Sequence, residues 1–165
     1  MRVIHFPALL ALILLSGCTQ SALPKENFSE IRASTPNKAS VYLYSTSGCP
    51  IPGGWNANLY INNRNLMHIG KNQYTYFELI PGHYKLSAST DVMRACNGTF
   101  NFSRTAKPLT FVAKPGKTYF IYYGYEGIRA GMLCVTCGIH LGLTSQEIAV
   151  TELPRLTKVK NLLFK

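Results

Sequence analysis

Residues 59–89, "LYINNRNLMHIGKNQYTYFELIPGHYKLSAS", decide the fold because short apolar runs alternate with turn residues along the whole stretch. In "YTYFEL", residues 74–79, successive side chains alternate between two faces, and Tyr74, Tyr76 and Glu78 share one of them. A period of two residues is typical of a strand with one face more buried than the other. The stretch therefore predicts several short strands.

The turns between these runs have specific chemistry. The Asn residues of "INNRNL" tolerate positive φ, whereas "IPGH" and the later "KPGK" place Pro before Gly as a type II turn requires. Each of these turns is expected to join neighbouring strands as a hairpin.

The chain as a whole is predicted to be mainly β, an antiparallel β-sandwich of about seven strands with one short C-terminal helix. The predicted strands cover residues 40–45, 57–62, 66–69, 74–79, 83–89, 109–113 and 118–125. The last of them, "TYFIYYGY", is largely apolar on both faces and should be a central strand. Thr144 precedes Glu147 by three residues, the spacing of a capping box, so a helix should begin there and end near Pro154.

The N-terminus has the pattern of a secretory signal. Arg2 precedes an apolar run from Val3 to Leu15, and the small pair Ser16-Gly17 follows. This run is too short for a transmembrane helix, which needs about 20 residues. Residues 1–17 are therefore predicted to be a signal peptide.

The sequence Leu15-Ser16-Gly17-Cys18 resembles the lipobox of bacterial lipoproteins. The resemblance implies that the Cys18 sulfur carries a diacylglycerol and that its new amino group takes a further acyl chain such as palmitate. Because two chains already give stable anchoring, the protein should stay on its membrane. Thr19, rather than Asp, follows the cysteine, which resembles the signal for the outer membrane in that family.

These features predict three segments in a lipid-anchored protein of the bacterial cell envelope that faces the periplasm from the outer membrane. A signal peptide covers residues 1–17, a lipidated tether covers 18–38, and a β-sandwich domain covers 39–165. The polar, proline-containing composition of residues 19–38 indicates the tether.

The motifs "LYINNRNLMHIGKNQYTYFELIPGHYKLSAS" and "LTFVAKPGKTYFIYYG" resemble those of small bacterial envelope lipoproteins that form a domain-of-unknown-function family. That family has a strand, a short turn, an aromatic strand, a "PGxH" turn and a later Gly-Lys-x-Tyr strand. The resemblance covers residues 41–125 and implies a PEGA-like or transthyretin-like β-sandwich. It implies no activity, because the family has none assigned.

The charge of the chain favours anionic partners. Lys and Arg number 17 against 7 acidic residues, which gives a net charge of +10. In the periplasm such a protein is biased toward phospholipid headgroups, lipopolysaccharide or cell-wall polymers. Export makes nucleic acid an unsuitable partner. The expected partners are thus the membrane, through the N-terminal lipid, and an anionic envelope polymer or a protein.

Four further cysteines, Cys49, Cys96, Cys134 and Cys137, are expected to form two disulfides in an oxidising compartment, and three pairings are open. If successive strands alternate in direction, the loops that hold these cysteines meet at one end of the domain. Residues three apart in a strand are too far apart to bridge, so Cys49 and Cys96 should each pair with one of the later two.

The same alternation of strands brings Arg64, Lys114 and Lys117 together at the other end of the domain. The tether is expected to enter at this end. These three cations should therefore face the membrane, with the cysteine loops pointing away from it.

Residues for catalysis or metal binding are sparse, and we expect no enzyme, no cofactor and no metal. His68, His83 and His140 lie far apart in sequence, and His140 alone stands close to "CVTC" as a further zinc ligand. No nucleophile elbow, metalloprotease motif or phosphate loop occurs in the sequence. Trp55, in the loop "GCPIPGGW", either plugs the core or serves as a contact residue.

The sequence therefore favours a non-catalytic binding or structural role at the envelope. One alternative is an inhibitor or immunity-type protein that presents the loop from Cys49 to Trp55 to a secreted enzyme. A second alternative is a thiol oxidoreductase that uses Cys134 and Cys137, which would need a lowered thiol pKa.

Overall fold

The computed structural model describes residues 28–46, 56–91, 95–96, 103–131 and 134–164. The strands in these ranges are β1 Ala39–Ser45, β2 Ala57–Ile61, β3 Arg64–Ile69, β4 Gln73–Leu79, β5 Gly82–Asp91, β6 Ala95–Cys96, β7 Ser103–Thr105, β8 Leu109–Ala113, β9 Thr118–Gly131, β10 Cys134–Thr144 and β11 Thr157–Lys158. Helix α1 spans Gln146–Glu152, and a 3₁₀ turn spans Leu153–Arg155. None of the helices in this part of the chain is long and apolar enough to cross a membrane.

The strands form two sheets that pack face to face, which confirms the predicted β-sandwich. The first sheet has the order β11-β4-β1-β9-β10-β6, and the second has the order β3-β2-β5, with β7 and β8 both paired to β5. Buried side chains of the two sheets meet in one core, for example Leu43 of β1, Phe77 of β4, Leu59 of β2 and Leu86 of β5. This burial supplies the main stabilisation of the domain.

All seven predicted strands are present, but their connections differ from the prediction. The turn at 62–63 forms a hairpin between β2 and β3, with Asn62 and Asn63 at φ 48° and 64°. The turns at 80–82 and 114–117 instead lead from one sheet to the other, since β4 and β9 belong to the first sheet and β5 and β8 to the second. Gly116 has the positive φ of a type II turn, whereas Gly82 is extended.

The first sheet is mixed rather than antiparallel. β9 lies between β1 and β10, as predicted for a central strand, but it runs parallel to β1. β10 continues the sheet as a long antiparallel partner of β9, which the sequence did not predict. β1 and β9 can run parallel because the chain crosses to the other sheet and back between them. No turn joins these two strands directly, so turn residues gave no indication that they pair.

A second core covers the outer face of the first sheet. Tyr42 and Tyr44 of β1 and Phe120 of β9 are buried there under the C-terminal helical segment. Phe28 and Ile31 pack on the same cluster. The predicted tether boundary at residue 38 is therefore wrong: residues 28–38, which we call the strap, belong to the folded domain.

Helix α1 begins one residue later than predicted. Ser145, not Thr144, is the N-cap, and its side chain accepts a hydrogen bond from the backbone N–H of Ile148. Thr144 is instead the last residue of β10, so the chain leaves the sheet at Ser145 and the helix begins after it. The helix is followed by the 3₁₀ turn that contains Pro154, close to the predicted end.

One end of the sandwich carries the turns at 62–63, 80–82 and 114–117 together with the start of β1. Backbone hydrogen bonds join these segments: Gly116 N donates to Lys38 O at 2.8 Å, and Asn62 N donates to Lys85 O at 2.9 Å. We call this end of the molecule the basic end. The prediction that the three turns lie together at one end is confirmed.

Candidate functional site

Three residues singled out in the sequence, Cys18, Cys49 and Trp55, lie outside the described residues. The expectations of lipidation at Cys18 and of a contact loop from Cys49 to Trp55 therefore stay predictions.

The backbone places the other three cysteines at the end opposite the basic end. Cys96 lies in β6, while Cys134 and Cys137 lie in β10, and the strand register sets Cys134 directly opposite Cys96. "CVTC" is thus part of a strand in an antiparallel hairpin. In thioredoxin-like enzymes a helix N-terminus lowers the pKa of the reactive thiol, and "CVTC" does not lie at a helix start.

The histidines are dispersed over separate strands. His68 lies on β3 and makes a 3.1 Å hydrogen-bond contact with Asn58, whereas His83 is exposed near the start of β5. His140 lies on β10 with its ring centroid 6.3 Å from that of Tyr122. Among the side chains that the structure describes, no group of three His, Cys, Asp or Glu residues could hold a metal ion.

The clearest feature of the described surface is the concentration of cations at the basic end. Arg64 was predicted to lie there with Lys114 and Lys117, and the structure adds two more cations. All five side chains are exposed: Lys38, Arg64, Lys85, Lys114 and Lys117. They come from four different segments of the fold, so only the turns and the strand register bring them to the same end.

Two adjacent clefts open at the basic end and share Asn62 and Tyr84 as a common wall. The first, about 400 Å³ in volume, lies along β5 and β8 and includes His83 and Lys85. The second, about 360 Å³, lies between the two sheets and includes Lys38 and Arg64.

The shared wall is held rigidly. Asn62 Oδ1 accepts a hydrogen bond from Lys85 N at 2.9 Å, and the Tyr84 hydroxyl donates to Ile80 O at 3.0 Å. The Tyr84 ring stacks on that of Phe111 with centroids 6.0 Å apart. Burial raises the pKa of Tyr84, so the hydroxyl stays protonated at neutral pH and remains a donor.

The second cleft combines apolar surface with opposite charges. Ile80 is 69% exposed at its rim, and Leu163 and Phe164 of the C-terminal tail form part of its lining. Glu78 is the acid in this lining, and it is already paired with Lys38 at 3.0 Å. The remaining cation of this lining, Arg64, can therefore interact with an anion, while the apolar rim can contact an alkyl or aromatic group.

Glu78 is held as a carboxylate by its neighbours. It accepts hydrogen bonds from Thr35 Oγ1 and Lys38 Nζ, and these contacts lower its pKa, the bond from Thr35 contributing most. Both donors belong to the strap, so Glu78 fastens the strap to β4 rather than serving as a proton donor.

Polar contacts on the outer face of the first sheet are structural as well. The Tyr44 hydroxyl donates to Glu152 Oε2 at 2.6 Å and ties β1 to α1. The Tyr42 hydroxyl accepts from Arg32 N at 2.7 Å, and the guanidinium of Arg32 lies 5.2 Å from the centre of the Tyr76 ring. Burial raises the pKa of both Tyr42 and Tyr44, which keeps these hydroxyls neutral.

Among the cleft residues that sequence reasoning missed are Lys38, Ile80, Tyr84 and Lys85. The alternation of strand directions correctly placed Arg64, Lys114 and Lys117 at the basic end. The same argument, applied to the residues next to each turn, would also have placed Ile80 and Lys38 there. Tyr84 and Lys85 needed the pairing of β5 with β8, which brings both to the first cleft.

Comparison of the chain with protein-family models, with curated proteins and with solved structures found no match. The resemblance to envelope lipoproteins with a PEGA-like or transthyretin-like sandwich therefore stays a prediction. The structure itself defines a two-sheet β-sandwich with cations concentrated at one end.

Proposed function

We propose that this protein is a lipid-anchored β-sandwich of the bacterial cell envelope that acts by binding an anionic surface and not by catalysis. The observation that carries the proposal is the set of five exposed cations at the basic end, three of which, Lys38, Arg64 and Lys85, line its two clefts. The phosphate groups of membrane headgroups are the anions nearest to a protein anchored by its own lipid.

The arrangement of the basic end supports binding to a phosphate-bearing surface. Lys114 and Lys117 stand on one turn, and Arg64 and Lys85 flank the neighbouring turn, so these four cations lie at the same end of the domain. Each Lys or Arg close to an anionic membrane contributes about 1 kcal/mol to binding. Ile80, exposed at the same end, could enter the headgroup region of the bilayer.

The length of the N-terminal segment is compatible with this orientation. The chain first enters the described part at Phe28, whose ring contacts Tyr42 and Tyr74 on the outer face of the first sheet. The strap then reaches the basic end at Lys38, where β1 begins. The chain between Cys18 and Phe28 spans at most about 35 Å, which leaves the basic end able to turn toward the membrane.

The groups with perturbed pKa values support a role without catalysis. Tyr44 and Glu78 make contacts that fasten the helix and the strap to the first sheet. Tyr84 holds the cleft wall through the backbone of Ile80. Each is already engaged with a protein partner.

Charge reversal at the basic end tests the proposal. The unlipidated chain from Thr19 onward, carrying K114E and K117E, is mixed with phosphatidylcholine vesicles with and without phosphatidylglycerol. We expect the parent chain to sediment with the anionic vesicles. The double variant should bind them with an affinity at least about tenfold lower, because two favourable charges become repulsive. A parallel arm replaces the vesicles with lipopolysaccharide or wall polymer.

The matched control carries K107E and R155E, which change the net charge equally at exposed positions away from the basic end. It should retain binding within about threefold of the parent chain, since attraction between distant charges is screened at physiological salt. Equal losses in the two variants would show that only net charge matters. No binding of the parent chain to any anionic surface would refute the proposed function.

A further inference from the structure

The edge of the first sheet juxtaposes two of the cysteines. β6 consists of two residues, and its register with β10 sets Cys96 opposite Cys134 and Ala95 opposite Val135. Directly opposed residues of an antiparallel pair have Cα atoms about 4.5–5.5 Å apart, and disulfides span Cα distances of about 4.4–6.8 Å. The backbone of this pair therefore fits a disulfide without rearrangement.

Cys137, the other described cysteine, fits less well as a partner of Cys134. Cys137 lies three residues further along the same strand, opposite Ile128 of β9, at a separation of about 10 Å from Cys134 when extended. The register shift in β10 comes after Cys137, so Cys134 and Cys137 both belong to the regular part of the strand. The geometry thus disfavours a local bridge within "CVTC".

A disulfide between Cys96 and Cys134 would also explain how a strand as short as β6 is held at the edge of the sheet. Its two register pairs, at the end of a six-stranded sheet, supply little stabilisation to hold a segment in place. We propose that Cys96 and Cys134 form a cross-strand disulfide that fastens β6 to the β9–β10 hairpin. In the cell this inference rests on the proposed export to an oxidising compartment.

The redox step is thiol–disulfide exchange with an oxidised disulfide donor, such as oxidised glutathione or a disulfide-bearing oxidoreductase. One cysteine thiolate attacks the donor to form a mixed disulfide, and one donor thiol leaves. The second cysteine thiolate then displaces the other donor thiol. The two protein thiols lose two protons and two electrons in total, and the donor disulfide is reduced to two thiols.

Peptide mapping of the chain from Thr19 onward, refolded in a glutathione redox buffer and quenched with iodoacetamide, tests the pairing. Trypsin releases Cys96 in the peptide 95–104 and the later two cysteines in the peptide 130–155, because arginines flank both segments. We expect these two peptides to be linked. Fragmentation of the linked species between Cys134 and Cys137 should leave the peptide 95–104 on the part that contains Cys134.

Matched single variants give an independent measurement. C137S should keep the link between 95–104 and 130–155 at the parental level, whereas C134S should reduce it at least tenfold. Attachment at Cys137, a link between 95–104 and the Cys49 peptide 39–64, or free Cys96 would each overturn the inference. Because the refolding is done in vitro, the result does not depend on where the protein resides, and failure of the proposed function would not alter it.

Discussion

At the scale of single residues, the strap is held to the first sheet by a few polar contacts whose strength depends on charge. Glu78 accepts hydrogen bonds from Thr35 and Lys38, with Lys38 Nζ 3.0 Å from the carboxylate. Glu78 and Lys38 are both partly exposed, so their ion pair contributes at most about 1 kcal/mol. The contribution should nevertheless show a defined dependence on pH.

We expect E78Q to lower the free energy of unfolding at pH 7 and to have a smaller effect at pH 3. The folded-state pKa of Glu78 is lowered, so its stabilisation is present above the unfolded value of about 4.3 and is lost as the pH falls through the folded-state value. Urea unfolding at pH 7, 5 and 3 measures the difference. A difference between E78Q and the parent chain that is constant with pH would contradict the explanation.

At the scale of elements, the strap and the C-terminal helix turn the outer face of the first sheet into a second core. A strand such as β1, buried on both faces, needs cover on both sides, and the second sheet supplies only one of them. Phe28 contributes through edge-to-face contacts with Tyr42 and Tyr74, each with centroids 6.0 Å apart. Such pairs add stability beyond the area that they bury.

We expect F28A to destabilise the domain by about 1–2 kcal/mol, because a half-buried ring and two aromatic contacts are lost. S29A, at the exposed neighbouring position, is the control and should change stability by less than about 0.5 kcal/mol. Denaturant unfolding followed by tyrosine fluorescence compares the two. If F28A unfolds like S29A, the strap does not contribute to the folded domain.

At the scale of the whole molecule, the proposed orientation depends on a lipid at one end of the chain and charges at one end of the fold. We expect palmitate to label the protein and the protein to sediment with membranes. C18A, placed behind an ordinary cleavable signal peptide, should lose the label and be released from membranes by high salt, because only the salt-sensitive attraction of the basic end remains. A C18A variant that keeps the label or stays on membranes in high salt, with its circular dichroism still mainly β, would refute the lipid anchor.

The positions of the strands along the chain were predictable because the signals that mark them are local in sequence. Alternation of faces in "YTYFEL" and the turn residues of "INNRNL" and "KPGK" depend on neighbours in sequence, and the strands and turns that they predicted are present. In β9, the alternation also assigned Ile121 and Phe120 to opposite faces, and these residues lie in separate cores. The predicted gathering of three turns at one end followed from alternating strand direction alone.

Tertiary structure alone decided which strands pair. Turn chemistry does not distinguish a hairpin from a passage between sheets, so the turns at 80–82 and 114–117 did not reveal that the chain changes sheets there. The parallel pairing of β1 with β9 and the packing of the strap depend on burying faces that lie far apart in sequence. The sequence by itself determined where the strands and turns lie, because backbone period and turn propensity are local, whereas pairing, the second core and the basic clefts required the burial of distant surfaces.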